Sequence, residues 1–332
     1  MKRLKFISPL ILLAFVVLFS CNNDDDNGVI VVPPRERDEE AVAAQIEIEE
    51  FLETHFYNYE EFENPPVDFD KKIVFDTIAN ENASKTPLID QVDYKMVTDI
   101  RDENVTYKLY YLSTVQGGGD DINFVDIATM TYEGRFMSDL SLFDSSVVPI
   151  RFDLTQIVDG LQSALVEFKG AVDFVENTDG TITFEDFGVG AVFIPSGLGY
   201  FNTPPSSIPY YTQLIFTFQT FLVEKGDQDS DGVLSYIEDL DGDGFEGNDD
   251  TDSDGIPNFA DSDDDGDGRL TKNETELVEY IIILGGDEPS LGENQVEMYR
   301  ELDDETGEVT IYTVIFTDGD SNGIADYLDK DY

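Results

Sequence analysis

Cysteine, histidine and tryptophan are all but missing from this chain. Cys21 is the only cysteine, so no disulfide can close within one molecule. His55 is the only histidine, which removes the parts for a cysteine–histidine zinc site or a Ser-His-Asp or Cys-His triad. Cationic side chains are scarce. The 19 Lys and Arg stand against 72 Asp and Glu, and the net charge of -53 repels nucleic-acid phosphates and anionic membrane surfaces alike. What the chain has in quantity is carboxylate and aromatic ring. Carboxylates at this density call for cationic partners, and Ca²⁺ is the cation that oxygen ligands suit. With 24 Phe and 16 Tyr the chain can build a core, which excludes wholesale disorder. Its 332 residues correspond to about two domains.

The amino terminus reads as an address. Lys2, Arg3 and Lys5 precede the apolar run Phe6–Phe19, which is too short to span a bilayer as a mature helix. Leu18-Phe19-Ser20-Cys21 resembles a bacterial lipobox, which implies that residues 1–20 are a lipoprotein signal peptide and Cys21 the lipidated first mature residue; an ordinary signal peptide is the alternative. Two or three acyl chains anchor a protein stably. Asn22-Asn23-Asp24-Asp25-Asp26 is similar to the export signal of surface lipoproteins in the Bacteroidetes group. It implies an outer-membrane location exposed on the cell surface, against an anchor on the periplasmic face. Pro33-Pro34 continues a tether over residues 21–37.

Residues 38–104 read as a helical and irregular segment. A helix is expected from Asp38 to Phe56, with Ala41, Ala44, Ile46, Ile48, Phe51, Leu52 and Phe56 on its apolar face. Pro65-Pro66 rules out regular structure around them. Strands are expected at Lys71–Ile78 and Val92–Thr98. No catalytic constellation stands out here, and His55 reads as a packing residue. The segment either braces the next domain or binds a partner.

From residue 105 to 224 the pattern changes to alternating strands: Val105–Thr114, Ile127–Tyr132, Val148–Leu154, Phe187–Pro195 and Gln213–Val223. One short helix, Gln156–Phe168, interrupts them. Antiparallel strands with a single helix make an α+β arrangement. Within it, Tyr132-Glu133-Gly134, Phe143-Asp144-Ser145-Ser146, Gln156-Ile157-Val158-Asp159-Gly160, Ile194-Pro195-Ser196-Gly197-Leu198-Gly199-Tyr200 and Ile208-Pro209 followed by Leu214-Ile215-Phe216 occur in one order. That series resembles the FKBP-type peptidyl-prolyl cis-trans isomerases.

The resemblance implies a curled antiparallel sheet around the helix and a pocket made by Tyr132, Phe143, Asp144, Ile157, Val158, Leu161, Tyr200, Ile208 and Phe216. It implies that a substrate proline enters this pocket, that the Val158 amide and Tyr200 hydroxyl hold substrate carbonyls, and that Asp144 lies near the carbonyl of the twisting bond. Such a site needs no nucleophile, metal or titrating base. An X–Pro bond isomerises unaided in roughly tens to hundreds of seconds, because twisting sacrifices amide resonance. An apolar pocket withdraws the water that favours the planar amide, and oriented groups bind the twisted one. Three positions depart from the family: Leu161 stands where most members place a Trp at the pocket floor, Gln156 replaces an acidic residue, and Ile150 replaces an aromatic. Asn177-Thr178-Asp179-Gly180 marks an inserted hairpin.

Residues 225–332 are acidic and periodic. Asp227, Asp229, Asp231, Gly232 and Glu238 fill positions 1, 3, 5, 6 and 12 of an EF-hand-like loop. Asp239, Asp241, Asp243, Gly244 and Asp250 repeat the pattern; Asp250, Asp252, Asp254, Gly255 and Asp261 repeat it with Asp250 shared. Asp263, Asp265, Asp267, Gly268 and Glu274 form a fourth loop, and Asp318, Asp320, Asn322, Gly323 and Asp329 a fifth. Alternate oxygens, a glycine for the sharp turn and a closing carboxylate are what a hard cation needs. The close succession of loops resembles thrombospondin type 3-like calcium repeats, which implies a structural, Ca²⁺-stiffened arm. A small β insertion, residues 277–317, interrupts the repeats and is expected to pack on the isomerase domain.

Two functions are consistent with these features. One is a lipid-anchored FKBP-type isomerase at the outer membrane, acting on proline-containing segments of exported proteins without a catalytic cofactor. The other is a non-catalytic binding or scaffold subunit of an outer-membrane complex or assembly machinery, with the fold kept and the pocket vestigial.

Overall fold

The computed structural model describes residues 34–303 and 305–332. The expected signal peptide, the lipidation site Cys21 and nearly all of the tether lie outside these residues. Among the described residues, no helix is long and apolar enough to cross a membrane.

The first elements are α1 (Arg37–Thr54), β1 (His55–Tyr57), α2 (Tyr59–Glu63) and β2 (Phe75–Thr77). Four strands and a helix come next: β3 (Asp93–Asp99), β4 (Asp102–Val115), β5 (Ile127–Phe136), β6 (Leu142–Asp153) and α3 (Asp159–Leu165). The small hairpin β7 (Asp173–Glu176) and β8 (Ile182–Glu185) precedes β9 (Gly188–Ile194) and β10 (Leu214–Glu224). Near the carboxyl end lie β11 (Thr275–Ile283), β12 (Gln295–Asp303) and β13 (Glu308–Phe316).

The main sheet has the order β3-β4-β9-β10-β5-β6, and every neighbouring pair is antiparallel. Its residues alternate between two apolar layers. Val192, Ile194, Leu214, Phe216 and Phe218 join Leu161, Ala164 and Leu165 of α3 in one core. Ala191, Phe193 and Ile215 join Ile48, Phe51 and Leu52 of α1 in the other. The run Gly188–Ile194 is therefore buried at every residue, since a central strand covered on both faces has no solvent side. Gly160 brings α3 down onto the sheet: a Cβ there would lie 2.6 Å from Ile194 Cγ2.

Several boundaries differ from the sequence-based expectation. The sheet begins with β3, inside the segment 38–104, and α1 braces its second face. Helix α1 ends at Thr54, because His55 turns extended and pairs with Thr77. His55 stacks on Phe51 at 4.0 Å, and burial lowers its pKa; it is a packing residue. Ile46 is exposed, and buried Glu40 takes a place on the inner face of α1. The helix expected over 156–168 is shorter. The Asp153 carboxylate accepts the Thr155 N–H at 3.0 Å, a 3₁₀ turn forms at Leu154–Gln156, and Ile157 and Val158 run extended before α3 starts.

The acidic segment after β10 carries its own three-stranded sheet, ordered β11-β13-β12. This insertion packs on the acidic loops, in contrast to the expected packing on the isomerase domain. Phe316 stacks on Tyr327 at 5.1 Å, and the Tyr236 hydroxyl donates to the Glu297 carbonyl at 3.4 Å. Its apolar residues meet the ends of the loops because β11 continues directly from the fourth loop. The loops themselves touch the main module. Lys225 pairs with buried Asp126 at 2.8 Å, and Gln162 on α3 donates to the Phe124 carbonyl at 2.9 Å and to Glu246 at 3.2 Å.

Candidate functional site

Beside the amino end of α3 a cavity of about 420 Å³ opens. Seven of the nine expected pocket residues line it: Tyr132, Asp144, Ile157, Val158, Leu161, Tyr200 and Phe216. Phe143 and Ile208 do not. Phe143 stands behind the wall, edge-on to Phe216 at 5.6 Å, and Ile208 is buried in the core that α3 shares with the sheet. The lining also includes Arg101, Phe152, Asp159 and Thr203. Phe152 and Arg101 were both missed: Phe152 had a signal in the alternation of Val148, Ile150 and Phe152, and Arg101 had none, since nothing in the sequence shows that the turn between β3 and β4 reaches the cavity.

Each wall has a local cause. Tyr132 follows a break in the β5–β6 register between Met130 and Tyr132, and such a bulge re-aims the next side chains. Gly134 leaves room for Phe143 and Phe216 to meet across β5: a Cβ would lie 2.6 Å from Phe143 Cζ and 3.0 Å from Phe216 Cε1. Ile157 and Val158 are extended, and the Val158 carbonyl accepts the Leu161 and Gln162 N–H groups that open α3. The Val158 N–H itself donates to no group among the described residues.

The polar atoms are few. The Tyr132 hydroxyl donates to Asp144 Oδ2 at 2.8 Å. Burial, and then that bond, push the Tyr132 pKa up to about 12, so the phenol stays a donor. Burial, followed by the Asp144 charge, also raises Tyr200. Arg101 pairs with Asp159 across the rim. Leu161, buried at 4% exposure, gives an apolar floor without an N–H.

The five acidic loops share one backbone. Positions 4 and 6 have positive φ in all of them: Ser230 and Gly232, Gly242 and Gly244, Ser253 and Gly255, Gly266 and Gly268, Ser321 and Gly323. Glycine at position 6 meets that requirement without strain. The position-5 side chain accepts the N–H two residues on, at 2.7 Å for Asp231, 2.7 Å for Asp243, 2.8 Å for Asp254, 2.6 Å for Asp267 and 2.8 Å for Asn322. One oxygen is thereby committed to the turn; in Asp231, Asp254 and Asp267 the other is left to the loop interior, whereas Asn248 takes the second oxygen of Asp243 at 3.2 Å and Asn322 has only one.

Carboxylate oxygens converge in four places, each set within 4.8 Å: Asp229, Asp231 and Glu238 with Asp264; Asp239 and Asp241 with Asp249; Asp250, Asp252 and Asp254; and Asp263, Asp265 and Asp267. All four sets lack at least one expected ligand, and two contain a residue that was not expected. In the second loop the closing carboxylate is Asp249 in place of Asp250. The 3₁₀ turn of that loop starts at Glu246, one residue early, and Asp250 Oδ2 is held by the Gly255 N–H at 3.0 Å as the first residue of the next loop. Asp243 stays apart because Phe245 N–H and Asn248 occupy both its oxygens. Asp264, the one acidic residue at position 2 of any loop, joins the first set. Asp227 has a buried oxygen without a partner beside that set, Asp261 accepts the Asp263 N–H at 3.0 Å, and Glu274 lies near the fourth set, 3.2 Å from Arg269. In the fifth loop Asp318 holds the Gly323 N–H at 3.0 Å, while the Asn322 amide bridges Asp320 and Asp329.

These residues fit a hard cation. Two oxygens bound to one Ca²⁺ at about 2.4 Å lie no more than about 4.8 Å apart. Buried oxygens of Asp229, Asp231, Glu238, Asp249, Asp250, Asp264 and Asp265 have no hydrogen-bond partner, a state that a coordinated ion relieves. Burial and mutual repulsion push Asp231 up to about 6, Asp229 and Asp264 to about 8 and Glu238 to about 10.

A family model described as BamM C-terminal matches residues 228–281. Among solved structures the chain is similar to FkpA from Escherichia coli, at 20% identity over 39% of this chain and 51% of that one, with a TM-score of 0.30. It is also similar to a peptidyl-prolyl cis-trans isomerase from Pseudomonas syringae pv. tomato, at 17% identity over 56% of this chain and 96% of that one, with a TM-score of 0.32. For the three FKBP domains of wheat FKBP73 the identity is 17% over 40% and 52% of the two chains, with a TM-score of 0.29. The match thus spans about half the length of FkpA and of the wheat protein. No curated protein matches the chain in sequence.

Proposed function

We propose that this chain is an FKBP-type peptidyl-prolyl cis-trans isomerase, anchored at the outer membrane by lipid on Cys21 and assisting the folding of exported proteins. The observation that carries the reading is the cavity: an apolar floor at Leu161, a free Val158 N–H, and Tyr200 and the Tyr132–Asp144 pair around it. A proline ring would rest against Phe216, Phe152 and Leu161. Water excluded by these rings can no longer favour the planar amide, and the Val158 N–H and Tyr200 hydroxyl would hold the flanking carbonyls as the bond twists. No proton moves, which suits a site whose tyrosines stay protonated. Residues of the acidic loops would hold Ca²⁺ through carboxylate oxygens and so stiffen residues 225–332.

The test is an isomerisation assay on proline-containing peptides. Asp144→Ala and Tyr200→Phe are each expected to lower kcat/KM on the order of tenfold or more. Activity untouched by both changes refutes this site. Circular dichroism and protease resistance unchanged by chelator refute the Ca²⁺ role.

A second reading is a non-catalytic FKBP-fold subunit of an outer-membrane assembly machinery. It is favoured by the name of the family matched at 228–281 and by the Leu161 floor. A wild-type rate equal to background, together with co-purification of outer-membrane proteins from detergent-solubilised membranes, selects it.

A further inference from the structure

The first acidic loop is closed by a residue that does not belong to it. Oxygens of Asp229, Asp231 and Glu238 lie within 4.8 Å of one another and of an Asp264 oxygen. Asp264 stands at position 2 of the fourth loop, outside the alternate positions that its own loop uses. Asp231 and Asp264 are 2% exposed and Glu238 is 1% exposed. Both Glu238 oxygens, Asp229 Oδ2, Asp231 Oδ2 and Asp264 Oδ1 lack any hydrogen-bond partner. The second oxygen of Asp264 accepts the Thr271 hydroxyl at 3.1 Å, which holds the carboxyl in place.

Buried carboxylates without partners are costly, and proteins hold them as ion pairs or metal ligands. No Lys or Arg pairs with these four groups among the described residues. The donor set is oxygen only, which suits a hard divalent ion and lacks the thiolate and imidazole that zinc and copper favour. We propose that Asp264 completes one divalent-cation site with Asp229, Asp231 and Glu238, so that a single Ca²⁺ pins the fourth loop onto the first. This rests on the Ca²⁺ reading of the loops and adds that one ion is shared between two of them. It acts as a cross-link: the segment 239–263 becomes a closed loop, whose closure restricts the unfolded chain. Tyr327 of the fifth loop is buried beside the same carboxylates, so three of the five loops meet at this point.

The experiment counts ions. Native mass spectrometry of the full chain, with Ca²⁺ as the only added metal, is run on wild type, Asp264→Asn, Glu238→Gln and the double variant. Hydrogen exchange follows protection at residues 229–238. Each single variant is expected to lose one ion, and the double variant to lose that same one and no more. Asp264→Asn is expected to raise the Ca²⁺ needed to protect 229–238 on the order of tenfold or more, while loop 250–254 keeps its protection. Loss of two ions in the double variant overturns the proposal, as does full occupancy with unaltered protection in Asp264→Asn. Should Asp264→Asn fail to fold, Thr271→Val takes its place: it frees the Asp264 carboxyl in a near-isosteric background and must weaken protection at 229–238, with no change overturning the proposal. A wild-type chain that binds no Ca²⁺ sinks the calcium reading itself; one that binds Ca²⁺ indifferently to Asp264 sinks only the shared site.

Discussion

Asp99→Asn tests how the cavity is held open from behind. Asp99 is fully buried at the end of β3. Its carboxylate pairs with Arg37 at the start of α1, accepts the Tyr107 hydroxyl at 3.1 Å and accepts the Arg101 N–H at 2.9 Å. The Arg37 guanidinium also lies over Phe201 at 4.3 Å, one residue past Tyr200. Three elements thus meet at one ion pair: the helix behind the sheet and the turn carrying Arg101 at Asp99, and the loop carrying Tyr200 at Arg37. Asparagine keeps the size and the hydrogen-bond acceptor but removes the charge. Breaking a buried pair costs about 3–5 kcal/mol, because the partner charge is stranded. Arg37 retains 17% side-chain exposure and its aromatic neighbour, which sets the expectation at the low end, about 3 kcal/mol.

Equilibrium urea unfolding with saturating Ca²⁺ reads this as a lowered midpoint at constant slope. The double variant Asp99→Asn, Arg37→Met should cost less than the sum of the singles by about 2 kcal/mol, since no charge is then left stranded. A loss below about 1 kcal/mol for Asp99→Asn, with additive singles, would refute the claim that this pair is buried and coupled.

In chelator, the acidic loops should be most stable at low pH. Asp231, Asp229, Asp264 and Glu238 titrate near 6, 8, 8 and 10 when folded and near 4 when unfolded, so their contribution is whole below about pH 4 and is lost as pH rises through the folded values. A calcium-free melting temperature that climbs from pH 5 to pH 8 contradicts this; saturating Ca²⁺ is expected to flatten or invert the trend. Asp249→Asn should remove the ion of the second loop alone, and Asp250→Asn that of the third, as read by ion counting with segment-resolved hydrogen exchange; a second-loop loss from Asp250→Asn with none from Asp249→Asn restores the original spacing. Gly134→Ala places a Cβ 2.6 Å from Phe143, and overpacking of this kind costs about 1–3 kcal/mol. Peptide affinity should fall with it, because Phe143 must yield and it packs edge-on against the cavity wall residue Phe216; a stable variant with wild-type affinity disproves the tight contact.

The strands were legible because alternation survives in the sequence: Leu214, Phe216 and Phe218 face one way and Ile215 the other. Helix α1 was legible as a helix, yet its inner face was misjudged at Ile46 and Glu40. Their places depend on a tertiary partner, since Ser196 donates to Glu40 at 2.9 Å. The cavity walls followed from motif order, whereas Arg101 came from a turn whose position is set by the buried Asp99. In the acidic segment the alternate carboxylates and the position-6 glycines could be read directly. The positive φ at position 4 could not, because serine occupies it in three loops. Asp264 had one signal, an extra acid in Asp263-Asp264-Asp265, but only folding of one loop onto another tells an extra surface charge from a ligand.

The two halves of the chain are joined through the helix that floors the cavity. Leu161 turns one side of α3 to the pocket, and the next residue, Gln162, reaches to Phe124 and Glu246 on the other. Phe124 in turn packs on Gly244 of the second loop, where a Cβ would lie 2.6 Å from its ring. Glu246 can hold Gln162 only while the 3₁₀ turn Glu246–Asn248 keeps its place, and that turn closes the Asp239, Asp241 and Asp249 set. On the Ca²⁺ reading, the ion of the second loop therefore stabilises the seat of α3, and removing it loosens the floor on which a proline would rest. Gln162→Ala separates this linkage from the chemistry of the pocket: it leaves every cavity wall in place, so peptide binding at saturating Ca²⁺ should persist, while its response to chelator should shrink. Equal responses in variant and wild type would mean that the pocket and the loops, though in contact, do not feel each other.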